Sequence, residues 1–314
     1  MGSDPGSPSP RELCLELARA LRDQVLPELG SHAGREHAST GEGGDVTFAI
    51  DEGAESFMEE FLSRRAPGVA FYSEDRGMVK PAGDPRMVLI VDPIDGTRPA
   101  MAGFEAACVS VAAASLEGEP TMGDVEAGCV VEIKSGRAFV AERGHGLDPA
   151  PKLSANTDLT RMFWTYGLRG RPVRAVAEVL GELIDGSSVG GGTFDLGSAT
   201  FDMTRVVTGQ LDAYVEPGPL MVSEIPGMRE RFESVGDGAV LNNSPYDLAA
   251  AALCLGEGGA VVTDAAGEPL DDRPLLGSGA EFQMSCIAAA NAELHAKIVS
   301  EVSDGIGRLR DLQA

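Results

Sequence analysis

The stretch "RMVLIVDPIDGTRPAMAGF", from Arg86 to Phe104, constrains the fold more than any other. Five apolar residues in a row, Met87 to Val91, call for a strand covered on both faces rather than an amphipathic helix or a half-exposed edge. Such a strand delivers Asp92 and Asp95 at its carboxyl end. Pro93 fixes its own φ and has no N–H, and Gly96 tolerates backbone angles other residues avoid. The segment therefore reads as a turn that brings both carboxylates to one side. Carboxylates that close repel unless a cation lies between them or one takes up a proton. An ordinary acidic turn is the alternative, since Asp, Pro and Gly are common turn residues. Hard oxygen ligands of this kind suit Mg²⁺. A helical turn starting after Gly96 would aim the N–H groups of Gly96 and Thr97 at a phosphate.

Composition narrows the classes. The chain has 314 residues, 43% of them hydrophobic, enough for one large domain or two intimate subdomains. Forty Gly and nineteen Pro imply many turns and short elements, not a helical bundle. With 25 Lys+Arg against 49 Asp+Glu the formal charge is −24, which argues against nucleic acid or an anionic membrane as partner. Five scattered cysteines, with no C-x-x-C spacing, read as buried thiols in a reducing compartment, and zinc is not expected. With no leader and no membrane-length apolar run, the expectation is a soluble cytoplasmic protein.

Residues 1–10 are Ser/Pro/Gly-rich and read as disordered. Ser9-Pro10-Arg11-Glu12 carries a capping box and opens a helix with Leu13, Leu17, Leu21 and Val25 on one face. "HAGREHASTGEGGD" reads as a mobile loop, and "FAIDEGAESFMEEFLSRR" as a helix with Phe57, Met58, Phe61 and Leu62 inward. Strands follow at "VAFYSED", "MVLIVD" and "AACVSVAAAS", then a hairpin joined around Ser135-Gly136. This gives a metal-binding half over 11–150. The half over 151–314 alternates strands and helices, including "SATFDMTRVVTG", ended by Gly209, and "SPYDLAAAALCLGEGG". No repeat or long linker separates the halves, so one compact unit with a cleft is expected.

"GDVTFAIDEGAE", "YSED", "VDPIDGT", "GSATFDMTRVVTGQLDAYVE" and "SPYDLAAAALCLGEGGAVVTDAAGEPL" together resemble the inositol monophosphatase / fructose-1,6-bisphosphatase superfamily of Mg²⁺-dependent, lithium-sensitive phosphatases. The resemblance covers nearly the whole chain. It implies an α+β fold, a layered αβαβα sandwich, two or three Mg²⁺ ions, a small phosphorylated metabolite as substrate, and a homodimer. It assigns Glu74, Asp92 and the carbonyl of Ile94 to a first metal and Asp92, Asp95 and Asp247 to a second, with Glu74 reaching a third. Asp51 and Thr97 would orient the attacking water, with Glu74 as the third catalytic residue. Gly96, Thr97, Arg98, Gly197, Ser198, Ala199 and Glu216 would bind substrate, Glu216 by accepting from sugar or cyclitol hydroxyls. Phosphoryl transfer needs mainly in-line positioning and charge neutralisation, so no side-chain nucleophile is required.

Each residue has a plainer role open to it. Asp51 and Asp247 sit where an acid favours a helix dipole. Small residues such as Gly197 and Ala199 can serve helix packing alone, and Asp202 and Arg205 can pair with each other at i, i+3. Arg98 could bind a second phosphate bidentately or meet a nearby acid. His145 reads as an exposed loop histidine. The segment from Pro217 to Pro245 departs from the resemblance by separating Glu216 from Asp247. It is expected to form a loop and short helix near the site, with Arg229 and Arg231 available to it. A bisphosphate nucleotidase, a sugar bisphosphatase and a catalytically silent phosphometabolite-binding protein are the alternatives.

Overall fold

The structure is a computed structural model and describes residues 8–31, 37–40 and 46–313. Helix α1 (Pro10–Val25) starts at the expected box: the Glu12 N–H donates to Ser9 Oγ at 3.2 Å, and the Ser9 N–H to Glu12 Oε2 at 2.9 Å. Within the stretch read as a loop, β1 (His37–Thr40) pairs antiparallel with β2 (Val46–Phe48). That reading is corrected there; 32–36 and 41–45, like the first seven residues, lie outside the described residues. Helix α2 (Ala49–Arg65) buries Ile50, Ala54, Met58 and Leu62. Phe57 and Phe61, expected inward, are only partly buried and lie beside each other with ring centroids 6.3 Å apart.

Next come β3 (Ala70–Ser73), β4 (Gly77–Val79), β5 (Met87–Asp95), α3 (Thr97–Ala102), β6 (Cys108–Ser115), β7 (Val125–Glu132), β8 (Ala138–Glu142) and β9 (Gly146–Asp148). They build a seven-stranded sheet in the order β4-β3-β5-β6-β7-β8-β9, antiparallel except for β3 with β5. Then follow β10 (Phe163–Tyr166), α4 (Val173–Ser187), β11 (Gly192–Phe194), α5 (Ala199–Thr208), β12 (Ala213–Glu216), α6 (Gly218–Glu224), α7 (Met228–Val235), α8 (Pro245–Glu257), β13 (Val261–Thr263), β14 (Cys286–Ala289) and α9 (Ala292–Asp311). Five of these strands form a mixed sheet ordered β11-β10-β12-β14-β13.

Side-chain alternation sorts the strands into layers. On β5, Leu89 and Val91 face α1 and α2, while Val88 and Ile90 face the middle layer of α5 and α8. On β14, Cys286 and Ala288 face that same middle layer, and Ile287 and Ala289 face α4 and α9. The result is helix, sheet, helix, sheet, helix: the αβαβα sandwich. Close contact at the centre needs small residues. A side chain at Gly128 would come 3.0 Å from the Ala250 carbonyl of α8.

The segment after Glu216 differs from expectation. It forms two helices, α6 and α7, whose Met221, Met228 and Phe232 are fully buried against the outer layer. Arg229 pairs with Glu233 one turn on, in an exposed position, and Arg231 is exposed as well. Arg205 pairs with Glu132 of β7 and not with Asp202, and both members of that pair are buried. The five cysteines are buried free thiols, and His145 is exposed. Among the described residues no helix is long and apolar enough to cross a membrane.

Candidate active site

The two aspartates of β5 share a face because the strand is bulged, not because it turns. Asp92 lies opposite Ser110 and Asp95 opposite Cys108, so three steps on β5 match two on β6. On a regular strand, residues three apart point to opposite faces; one extra residue restores a common side. Pro93 is tolerated there because a bulge leaves a residue out of the ladder. The Ile94 N–H donates to Asp92 Oδ1 at 2.9 Å and holds that carboxylate. Gly96 then takes φ +90, and a Cβ on it would meet the Ala106 carbonyl at 2.5 Å, so only glycine fits.

The third acid arrives on α8. Asp247 is the third residue of that helix, and its Oδ2 accepts from the Ser244 N–H at 2.6 Å. The capping role and the site role therefore coexist in one carboxylate. Carboxylate oxygens of Asp92, Asp95 and Asp247 all lie within 4.8 Å of one another. Helix α5 ties this corner together. Ser198 Oγ donates to Asp95 Oδ2 at 2.8 Å, the Thr200 N–H donates to the same oxygen, and Thr200 Oγ1 donates to the Asp247 carbonyl at 3.0 Å. Ser198 Oγ also accepts from the Phe201 N–H and so caps α5.

Burial makes the cluster costly without a cation. Desolvation, then Glu74, Asp95 and Asp247, pushes the Asp92 carboxyl well above the usual carboxylate range. Burial also raises Asp95, opposed by the bonds from Thr200 and Ser198. Asp247 is pushed up to about 8 by burial and by Asp95. Three mutually repelling oxygen donors at this spacing fit a small hard cation.

Asp51 and Thr97 stand beside the cluster. Asp51 accepts from the Phe48 N–H at 2.9 Å at the start of α2, and its Oδ1 accepts from Thr97 Oγ1 at 3.1 Å. The same hydroxyl reaches the Ile94 carbonyl at 3.1 Å. Asp51, Glu74, Asp92, Ile94, Asp95, Gly96, Thr97, Arg98, Gly197 and Asp247 line one cavity of about 630 Å³. Ser198 and Ala199 line a smaller recess next to it. Arg98 lays its guanidinium over the Phe48 ring, 5.4 Å from the centroid.

Glu216 is not brought to this cavity. Its side chain is fully buried, ion-paired with Arg171, and also accepts from the Gly218 N–H at 2.8 Å. Gly167 makes room for the pair, since a Cβ there would lie 3.2 Å from the guanidinium carbon of Arg171. Arg229 and Arg231 are absent from the cavity lining too. Sequence reasoning missed Arg169, Asp195, Leu196, Phe104 and Phe201, which line the cavity, and the grip of Ser198 on Asp95. Of these, only Ser198 gave a signal, as an N-cap residue ahead of a helix.

The αβαβα layering sets an acidic pocket where β5 meets the inner helices. The sequence pattern of the inositol monophosphatase family matches residues 11–306, and the chain belongs to that family, which places it among the phosphoric monoester hydrolases. It is 28% identical over 299 residues to a fructose-1,6-bisphosphatase/inositol-1-monophosphatase of Methanothermobacter thermautotrophicus, covering 91% of this chain and 94% of that one. Similarity to an inositol-1-monophosphatase of Mesorhizobium japonicum is 26% over 263 residues, 81% of this chain and 86% of the other. Among solved structures, the extragenic suppressor protein suhB of Bartonella henselae superposes with a TM-score of 0.70 at 22% identity, over 93% of this chain and 98% of that one.

Proposed function

We propose that this phosphatase is Mg²⁺-dependent and hydrolyses a phosphomonoester of a small polyol, sugar or nucleoside by direct attack of water. The observation that carries this reading is the trio Asp92, Asp95 and Asp247 within 4.8 Å, inside a cavity that also holds Asp51 and Thr97. Asp92, Asp95, Asp247, Glu74 and the Ile94 carbonyl would hold two or three ions. When bound, Mg²⁺ supplies charge neutralisation for the phosphoryl group and acidifies water. The Thr97 hydroxyl, held by Asp51 and the Ile94 carbonyl, orients the water for in-line attack. Bulge geometry fixes Asp92 and Asp95 before substrate arrives, so little reorganisation opposes the step. Gly96 and Gly197 let backbone come close to the ester, and Arg98 lines the same cavity, where its guanidinium would meet an anion.

The five buried thiols suit a reducing, cytoplasmic setting, and a homodimer is the assembly we propose. The reading is tested by phosphate release from inositol 1-phosphate, fructose 1,6-bisphosphate, adenosine 3′,5′-bisphosphate and simple sugar phosphates, with Mg²⁺ or with EDTA. Turnover of one of them that needs Mg²⁺ and is lost in Asp92→Asn is expected; turnover that survives both EDTA and the substitution refutes the metal site. Light scattering reads the assembly.

A further inference from the structure

Besides its carboxylates, the lining of the cavity over the acid cluster includes Pro99, Ala102, Phe104, Leu196 and Phe201. At about 630 Å³ the cavity has the size that encloses a drug-sized organic molecule.

Phe104 is the unusual member, an aromatic ring left 63% exposed at the cavity edge. Its backbone is fixed. Gly103 ends α3 with φ +75, the Phe104 N–H donates to the Pro99 carbonyl at 2.9 Å, and the Gly103 N–H donates to the Ala100 carbonyl at 2.9 Å. This is the reverse-turn cap that follows many helices. Lys134 Nζ pins the same turn through the Gly103 carbonyl at 3.0 Å. The turn is thus fixed, and it carries an exposed aromatic side chain that lines the cavity.

The second observation is independent. The acid expected to receive substrate hydroxyls, Glu216, has both oxygens engaged by Arg171 and the Gly218 N–H and is closed off from the cavity. The cavity thus has these apolar side chains in its lining and does not have Glu216 as a hydroxyl acceptor.

We propose that the alcohol part of the substrate carries a flat apolar group, an aryl or heteroaryl ring, that lies against Phe104 and Leu196 while its phosphate meets the acid cluster. The inference rests on the phosphomonoesterase reading above and names its substrate class. Pro99, Ala102 and Phe201 add to the apolar lining that the ring would meet.

The test compares kcat/KM for 2-phenylethyl phosphate, ethyl phosphate and inositol 1-phosphate in Mg²⁺. The first two leave as primary alcohols, so their ratio reports the ring and not leaving-group reactivity. A preference for the phenylethyl ester over the ethyl ester of about tenfold or more is expected, and it should also exceed the preference for inositol 1-phosphate. Phe104→Ser should bring the phenylethyl/ethyl ratio down to about twofold. Leu196→Ser, on the facing loop, is the second variant and should lower the ratio as well, so the prediction stands if Phe104→Ser fails to fold. A wild-type ratio near one, a ratio unmoved in both folded variants, or a stronger preference for inositol 1-phosphate overturns the inference and leaves the phosphatase standing. Silence with all three esters, while a compound of the wider phosphate-release panel is turned over, overturns this inference and leaves the phosphatase standing.

Discussion

Asp92 and Asp95, three residues apart on β5, face two residues of β6 that are only two apart, Ser110 and Cys108. That single mismatch places two carboxylates on one side and, with Asp247, builds an acid cluster whose members raise one another's pKa. Neutralising one member removes repulsion as well as a ligand. Asp92→Asn is therefore expected to lower Mg²⁺-dependent turnover by roughly a thousandfold or more, several kcal/mol at 1.36 kcal/mol per factor of ten. In EDTA at pH 8 the same variant should melt higher than the wild type. Calorimetry with and without Mg²⁺ reads both. A variant that melts lower in EDTA and higher with Mg²⁺, like the wild type, would show that Asp92 holds no cation.

Ser198 tests how the cluster is held. Its hydroxyl donates to Asp95 and accepts from the Phe201 N–H, so one oxygen serves a carboxylate and a helix cap. Ser198→Ala is expected to cost about 1–2 kcal/mol of stability through the cap. It should also raise the Mg²⁺ concentration for half-maximal activity by about tenfold, the usual effect of losing a partner that orients a metal-binding carboxylate. Activity titrated against Mg²⁺ separates the two. A stability loss with an unchanged Mg²⁺ requirement would reduce Ser198 to a helix cap.

Local patterns were legible in the sequence. The apolar run of β5, the box at Ser9-Glu12 and the acid Asp247 in the first turn of α8 each depend on residues within a few positions, and each has a physical reason to form locally. The bulge was not legible as such, because it is defined by the register with β6. Nor were the ion pairs: Arg205 sits three residues from Asp202 yet meets Glu132, 73 positions away, and Arg171 meets Glu216 across 45. Buried charges choose partners by tertiary position, where desolvation outweighs proximity along the chain. The apolar part of the cavity lining was invisible for the same reason, since Phe104 and Leu196 come to one cavity only in the folded chain.

Glu55 supplies a pH dependence of its own. Buried in α2, it accepts from Ser73 Oγ at 2.9 Å, and burial pushes its carboxyl from 4.5 up to about 7. The folded state thus binds the proton more tightly than the unfolded chain. Its contribution is fully present below about pH 4.5 and is lost as pH rises through about 7. The loss amounts to roughly 3 kcal/mol at 1.36 kcal/mol per pKa unit. Glu55→Gln removes the titration, so its stability relative to wild type should climb between pH 4.5 and 8. Urea denaturation across that range measures it; a difference that stays constant with pH would show that Glu55 is ionised throughout.

Arg171 and Glu216 separate a structural pair from a substrate contact. Both side chains are buried, at 6% and 0% exposure, so removing one partner strands a charge. Arg171→Met is expected to cost about 3–5 kcal/mol, and Glu216→Gln a smaller loss of the same sign. The double variant should recover most of the Arg171→Met loss, because neither charge then remains unpaired. Kinetics give the other half of the argument. A residue that accepts from a polyol would raise KM for inositol 1-phosphate on becoming Gln, with stability little changed. The buried pair predicts the reverse: lower stability, with KM moving by no more than about twofold, the effect of a group outside the binding cavity. A large rise in KM without a stability loss would return Glu216 to the substrate and open the Arg171 pair in the working enzyme.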